Sequence, residues 1–148
     1  MLPLDELYQE VILEHYQNPH NKGSLENPDI VSHGVNPLCG DEVKIFVQLD
    51  GEKIKAFKVD GKGCAISQAS MSMMSEALQN KSLKEAEKLA LKFKESMLEG
   101  KPLEFKEYED VEALEGVKKF PVRIKCAILP WNTFLEGLNS LEGRGKNL

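Results

Sequence analysis

Three cysteines are the most reactive groups in this chain of 148 residues, and each stands where the chain must bend or where charge gathers. Cys39 lies in Asn36-Pro37-Leu38-Cys39-Gly40-Asp41, a turn that also delivers a carboxylate two residues later. Residues on either side of a glycine can face the same way when the glycine lets the backbone bend. Cys64 follows Gly61-Lys62-Gly63, a corner that feeds a helix, and the positive end of a helix dipole stabilises a thiolate. Cys126 falls in Arg123-Ile124-Lys125-Cys126-Ala127, early in the last helix, with two cations beside it in sequence. Each context lowers a thiol pKa or opens space around the backbone.

Cys39, Asp41, Cys64 and Cys126 together would make a four-coordinate donor set. Zinc accepts Cys and Asp in a tetrahedron, whereas iron–sulfur clusters are held mainly by Cys. A carboxylate is a harder, poorer partner for thiophilic iron than a fourth thiolate, so such a site suits cargo that is passed on. The cysteines are far apart in sequence and form no C-x-x-C pair. Three inert core thiols are the plain alternative, since free cysteine is often buried as a small hydrophobe. Flanking glycines and Lys125 are poor neighbours for that role. A Cys39–His33–Asp41 hydrolase can be assembled on paper, but no nucleophile-elbow pattern supports it. His15 reads as a satisfied, partly buried histidine, His20 and His33 as loop residues at the surface, and Met71, Met73 and Met74 as ordinary core and surface methionines.

The elements that must position these residues follow from periodicity. Leu4, Leu7, Tyr8, Val11, Ile12 and His15 recur at helical spacing over 4–17, and Asn18-Pro19 ends that helix. Residues 18–37 read as a long loop with a short strand near Ile30-Val31. Val43, Ile45, Val47 and Leu49 alternate as a half-buried strand. Asp50-Gly51 is a strong hairpin signal and Ile54–Val59 the return strand, which runs into a sharp turn over 60–63. Ile66, Ala69, Met73 and Ala77 mark one face of a second helix. Ser82-Leu83-Lys84-Glu85 has the spacing of a capping box, opening a third helix with Ala86, Leu89, Ala90, Phe93 and Met97 on its buried stripe. Residues 103–120 are acidic and weakly periodic, with a short helix expected around 111–117. Phe120-Pro121 opens a last helix carrying Val122, Ile124, Cys126, Leu129, Phe134 and Leu138, with Pro130 inside it, and the tail from Glu142 is expected to fray. Early strands and late helices without βαβ alternation predict one α+β domain over 1–148: a small antiparallel sheet of about three strands packed against four to five helices.

Composition narrows the partners. Nineteen Lys+Arg against twenty-four Asp+Glu leave a net charge of −5, the wrong sign for non-specific binding to nucleic acid or anionic membrane. No basic leader precedes an apolar segment, and no apolar run approaches the ~18 residues that a bilayer span needs. An odd cysteine count argues against a disulfide framework, so the chain is expected to be cytoplasmic, with free or metal-bound thiols.

With these motifs in hand, the sequence resembles the NifU N-terminal/IscU-like family of iron–sulfur cluster assembly proteins. The resemblance rests on Tyr8…His15-Tyr16-Gln17-Asn18-Pro19-His20-Asn21, on the segments around Cys39 and Cys64 (through Ile66-Ser67), and on Arg123–Ala127. It implies a SufE/NifU-like fold, Cys39, Asp41, Cys64 and Cys126 as the ligand set, and a cysteine desulfurase as partner. Three departures resemble the SufU branch rather than IscU. Lys125 stands where IscU has a histidine before its last cysteine, and Phe120-Pro121-Val122-Arg123 replaces the Leu-Pro-Pro-Val-Lys chaperone motif. The stretch between the second and third cysteines is also longer, in the acidic 99–119 region. The branch implies Zn2+ at the site and sulfur acceptance at Cys39 from a SufS-like desulfurase, whose own histidine takes the place of Cys39 on the metal. Asp41, Cys64 and Cys126 would stay bound, and Arg123 would orient Cys39 or the incoming sulfur. The IscU alternative implies Fe2+ or a [2Fe–2S] cluster assembled on the same residues. Downstream cluster-assembly or apo iron–sulfur proteins are the further partners implied.

Overall fold

Alternation of apolar residues over the middle of the chain builds a meander of three antiparallel strands, ordered β1-β2-β3. A computed structural model describes residues 4–146, with side chains described over 8–141. Strand β1 spans Ile30–Asn36, β2 Asp41–Asp50 and β3 Lys53–Lys62. Val43, Ile45, Val47, Ile54, Phe57 and Val59 point to one face and are fully buried. The Asp50-Gly51 turn closes the β2–β3 hairpin, with Gly51 at φ +64° as this tight connection requires.

The sheet differs from expectation at both ends. β1 is seven residues long rather than a short piece near Ile30-Val31, because it pairs in register with β2 from Ile30↔Val47 to Asn36↔Asp41. His33 therefore belongs to this strand, not to a loop. β3 continues through Lys62, so the sharp turn falls on Gly63 alone, at φ +140°.

Four α-helices and a 3₁₀ segment cover the sheet: α1 Leu4–Gln17, α2 Ala65–Leu78, α3 Leu83–Glu99, 3₁₀ Glu109–Lys119 and α4 Pro121–Lys146. Helix α2 is the hub. The sequence predicts one apolar face, yet eleven of its fourteen residues are buried, because α1, α4, the 3₁₀ segment and the sheet surround it. Its serines make this possible. Ser70 Oγ donates to the Ala127 carbonyl at 2.6 Å and accepts from Trp131 Nε1 at 2.9 Å. Ser72 Oγ accepts the His20 backbone N–H and pairs with His15 Nδ1, both at 2.7 Å. His15 is 1% exposed, and its Nε2 meets Asp110 Oδ2 at 2.9 Å, so it is a fully partnered structural histidine. Met71, Met73 and Met74 are all core residues.

Helix α3 follows its sequence signals closely. Ser82 Oγ accepts from the Glu85 N–H at 3.1 Å, and Gly100 ends the helix in the left-handed region at φ +73°. All five residues of its expected stripe are buried, and Phe93 stacks on Trp131 with centroids 4.4 Å apart. The acidic stretch is more ordered than its weak period suggests. Glu115 and Glu112 accept the backbone N–H groups of Leu103 and Phe105 at 3.0 and 2.9 Å, tying an extended segment to the 3₁₀ turn. Helix α4 runs through Pro130, which cannot donate to the Cys126 carbonyl one turn earlier. Val122, placed on the apolar face by spacing, is 68% exposed because the first turn of α4 projects beyond the core. The helix reaches Lys146 where fraying was expected from Glu142; Asn147 and Leu148 lie outside the described residues. Among the described residues, no helix is long and apolar enough to cross a membrane.

Candidate metal centre

Three separate elements deliver the sulfur atoms to one end of the sheet. The β1–β2 turn carries Cys39, whose N–H donates to the Asn36 carbonyl at 3.2 Å, and Gly40 at φ +68° turns the chain into Asp41. Asp41 is the first residue of β2 and is 2% exposed. Across the sheet, β3 ends at Lys62, Gly63 turns the chain, and Cys64 becomes the N-cap of α2. The Cys64 N–H donates to Asp41 Oδ1 at 2.8 Å, and its Sγ accepts the Ser67 N–H at 3.4 Å. Cys126 enters from α4 and is fully buried.

The ligand atoms of Cys39, Asp41 and Cys126 lie within 4.8 Å of one another. Cys64 Sγ is not in that group; it turns toward the helix terminus it caps. The Cys126 thiol donates to Cys39 Sγ at 3.3 Å, and Asn36 Nδ2 donates to Cys126 Sγ at 3.6 Å. Asp41 Oδ2 is buried without a hydrogen-bond partner. A buried carboxylate oxygen left in that state is costly, and a cation beside it removes the cost. Two thiols and the buried Asp41 carboxylate gathered in this way have the donor chemistry of a zinc or iron site, so the residues fit a thiophilic metal ion.

Electrostatics at the site corrects one sequence reading. Burial, with the Asp41 carboxylate and Cys39 close by and the negative charge of Cys64, pushes the Cys126 thiol well above its ordinary range. Its two sequence-adjacent cations do not reverse this. Arg123 is exposed and its Nη1 lies 4.0 Å from Cys39 Sγ, while Lys125 lines a separate groove with Val35, Pro37 and Leu98. Hydrogen bonding to Cys126 and the charges of Cys64 and Cys39 strengthen the hold of Arg123 on its own proton. His33 Nε2 pairs with Glu42 Oε1 at 2.7 Å, which leaves the Cys39–His33–Asp41 hydrolase without support. Sequence reasoning missed two contributors. Asn36 was visible as part of the turn motif, but nothing local tells which sulfur its amide will face. Gly63 was visible as a turn residue, but not as the space that Asp41 fills.

The sequence pattern of NifU-like N terminal domains matches residues 7–134. The chain belongs to the NifU-like N-terminal domain family. Its similarity within the family is extensive. The zinc-dependent sulfurtransferase SufU of Bacillus subtilis (strain 168) is 44% identical over 141 residues, covering 95% of each chain. The iron–sulfur cluster assembly scaffold protein IscU of Streptococcus pyogenes serotype M1 is 42% identical over 137 residues, covering 91% of this chain and 84% of that protein. The solved structure of the N-terminal part of a nitrogen-fixing NifU-like protein from Brucella abortus superposes with a TM-score of 0.85. It covers 95% of this chain and 97% of that one at 24% identity, a likeness of fold. The α+β architecture of this NifU-like chain is therefore that of its family.

Proposed function

We propose that this chain serves iron–sulfur cluster assembly by accepting persulfide sulfur at Cys39 from a SufS-like cysteine desulfurase. Cys39, Asp41, Cys64 and Cys126 would hold Zn2+, with Cys64 as the fourth donor through its link to Asp41. The observation that carries this reading is the meeting of Cys39 and Cys126 with the buried Asp41 carboxylate, one oxygen of which has no hydrogen-bond partner. Bound zinc keeps its thiolates deprotonated at neutral pH.

Cys39 is suited to be the acceptor because it is only half-buried, unlike Cys126, and lies on the β1–β2 turn with Leu38 beside it 81% exposed, whereas Cys64, equally half-buried, is tied to the helix it caps. Its thiolate attacks the terminal sulfur of the desulfurase persulfide. A new S–S bond forms at Cys39, the S–S bond of the donor breaks, and the desulfurase cysteine leaves as thiolate with no net oxidation. Arg123 stands where its guanidinium can orient Cys39 or the incoming persulfide sulfur.

The similarity to SufU and to IscU leaves one competing role, a scaffold on which a [2Fe–2S] cluster is assembled and passed to apo-proteins. One pair of measurements separates them. Freshly purified protein should carry about one zinc per chain and stimulate desulfurase turnover, and Cys39→Ala should abolish the stimulation. If Cys39→Ala stimulates as well as wild type, the acceptor role is wrong. A coloured product of anaerobic reconstitution that donates its cluster to an apo-ferredoxin would establish the scaffold role in its place.

A further inference from the structure

The three thiols are not equivalent in what their sulfur atoms receive. Cys64 Sγ accepts a backbone N–H from the first turn of the helix it caps, at 3.4 Å. Cys126 Sγ accepts the side-chain amide of Asn36 at 3.6 Å and is sealed from solvent. Cys39 Sγ is met by the Cys126 thiol at 3.3 Å and by the exposed Arg123 at 4.0 Å. Cys64 and Cys126 thus each have a neutral amide donor held by secondary structure, which Cys39 lacks, while the exposed Arg123 on α4 reaches both Cys39 and Cys126.

Asn36 is itself firmly placed. It is the last residue of β1, in register with Asp41, and its carbonyl accepts the Cys39 N–H at 3.2 Å. Pro37 follows, and the residue before a proline is confined to extended geometry. Its amide is thus aimed at Cys126 by a rigid strand end, the arrangement that outer-shell partners of metal ligands require. An N–H donor engages a sulfur lone pair, which orients the thiolate and makes it a poorer nucleophile.

Resting on the function proposed above, we infer that Asn36 is a positioning residue that fixes Cys126 as a resident metal ligand and so leaves sulfur acceptance to Cys39. The burial of Cys126 and the hydrogen bond act in the same direction, but only the hydrogen bond can be removed without opening the core. Asn36→Leu is close to isosteric and lacks the donor, Asn36→Ala is a smaller variant that keeps the strand, and Asn36→Gln restores an amide.

The test uses the full chain loaded with Zn2+, and Co2+ as a spectroscopic probe. Competition with a chelator should show a loss of about 10-fold in metal affinity for Asn36→Leu and Asn36→Ala. The thiolate-to-cobalt charge-transfer band should shift in both, and Asn36→Gln should recover part of the shift. Limiting iodoacetamide followed by peptide mass spectrometry should label Cys39 first in wild type, and the lag of Cys126 behind Cys39, set by brief local openings of its buried site, should shorten in the Leu and Ala variants. A purely structural role would lower thermal stability without changing the cobalt band. If wild type retains metal and labels first at Cys39, but both variants match it in affinity, spectrum and labelling lag, the role of Asn36 is refuted while the proposed function stands. If wild type itself retains no metal and shows no preference for Cys39, the function proposed above has failed first, and this inference with it.

Discussion

Replacing Gly63 with alanine should damage stability and metal retention together. Gly63 joins β3 to the N-cap of α2 at φ +140°, a conformation that residues with a side chain rarely adopt. A Cβ built there would lie 2.7 Å from Asp41 Cα and closer still to Asp41 Oδ1. Two costs follow. The backbone strain is about 1–3 kcal/mol. Overpacking against a main-chain atom fixed in β2 adds about 1–3 kcal/mol. The sum, roughly 2–6 kcal/mol, is a large part of the ~5–15 kcal/mol that stabilises an ordinary domain. At about 3 °C per kcal/mol for a chain near this size, the melting midpoint should fall by roughly 6–18 °C. Relaxation does not rescue the site. Moving Asp41 away breaks the 2.8 Å bond from the Cys64 N–H and displaces the carboxylate from the sulfur cluster. The assay is thermal unfolding of metal-free protein by circular dichroism, with zinc content measured after dialysis against a weak chelator. Gly51→Ala is the control, because Gly51 also has a positive φ of +64° but nothing lies within 4 Å of its added Cβ. That variant should lose only the strain of a left-handed residue, about 1–2 kcal/mol, and keep its metal. Equal losses for the two variants, with zinc retained in both, would refute the argument that Gly63 is the space Asp41 occupies.

Three further outcomes test other parts of the fold. Trp131→Ala should cost about 3–5 kcal/mol in urea unfolding, since the ring is fully buried, stacks on Phe93 and donates to Ser70; a loss under about 1 kcal/mol would contradict that packing. Ser82→Ala should cost about 1 kcal/mol by the same measurement, from loss of the bond to the Glu85 N–H, with Ser82→Asp close to wild type. Burial, and then the charge of Asp110, hold the Tyr108 hydroxyl protonated well above its ordinary range. The native state therefore binds this proton more tightly than the unfolded chain, so its stabilising effect is complete below about pH 10 and fades as pH rises further. Urea midpoints at pH 8 and pH 10.5 should show a smaller alkaline drop for Tyr108→Phe than for wild type, and equal drops would count against the shift.

Short-range chemistry was legible in the sequence. The Ser82 N-cap, the Asp50-Gly51 hairpin and the stripe of α3 depend on residues close in sequence, and each forms as its spacing predicts, although Glu85 Oε1 accepts from Ser82 Oγ in place of the reciprocal capping-box bond to the Ser82 N–H. The turn that carries Cys39 and Asp41, and the corner that makes Cys64 an N-cap, are local in the same sense. The length of β1 is not legible locally because it is fixed by pairing with β2, not by its own alternation, which is diluted by Gly34 and the polar Ser32, His33 and Asn36. The sequence marks only one face of α2 because burial on every side leaves no period to detect, and its serines look polar until partners on α1 and α4 take their hydrogen bonds.

The sequence by itself determined which residues could do chemistry, three thiols and a carboxylate set in bent segments, because the glycines and prolines that bend them are neighbours in the chain. Tertiary structure alone decided how those groups differ. Cys126 is sealed and proton-retaining because α4 packs over the sheet end, and Asn36 reaches it across ninety residues of sequence. Arg123 faces the sulfur atoms and Lys125 does not, because the two lie on different sides of one helical turn. Asp41, the first residue of β2, is buried at the same sheet end with its Oδ2 left without a hydrogen-bond partner. Such differences arise from contacts between distant segments, which no local pattern encodes.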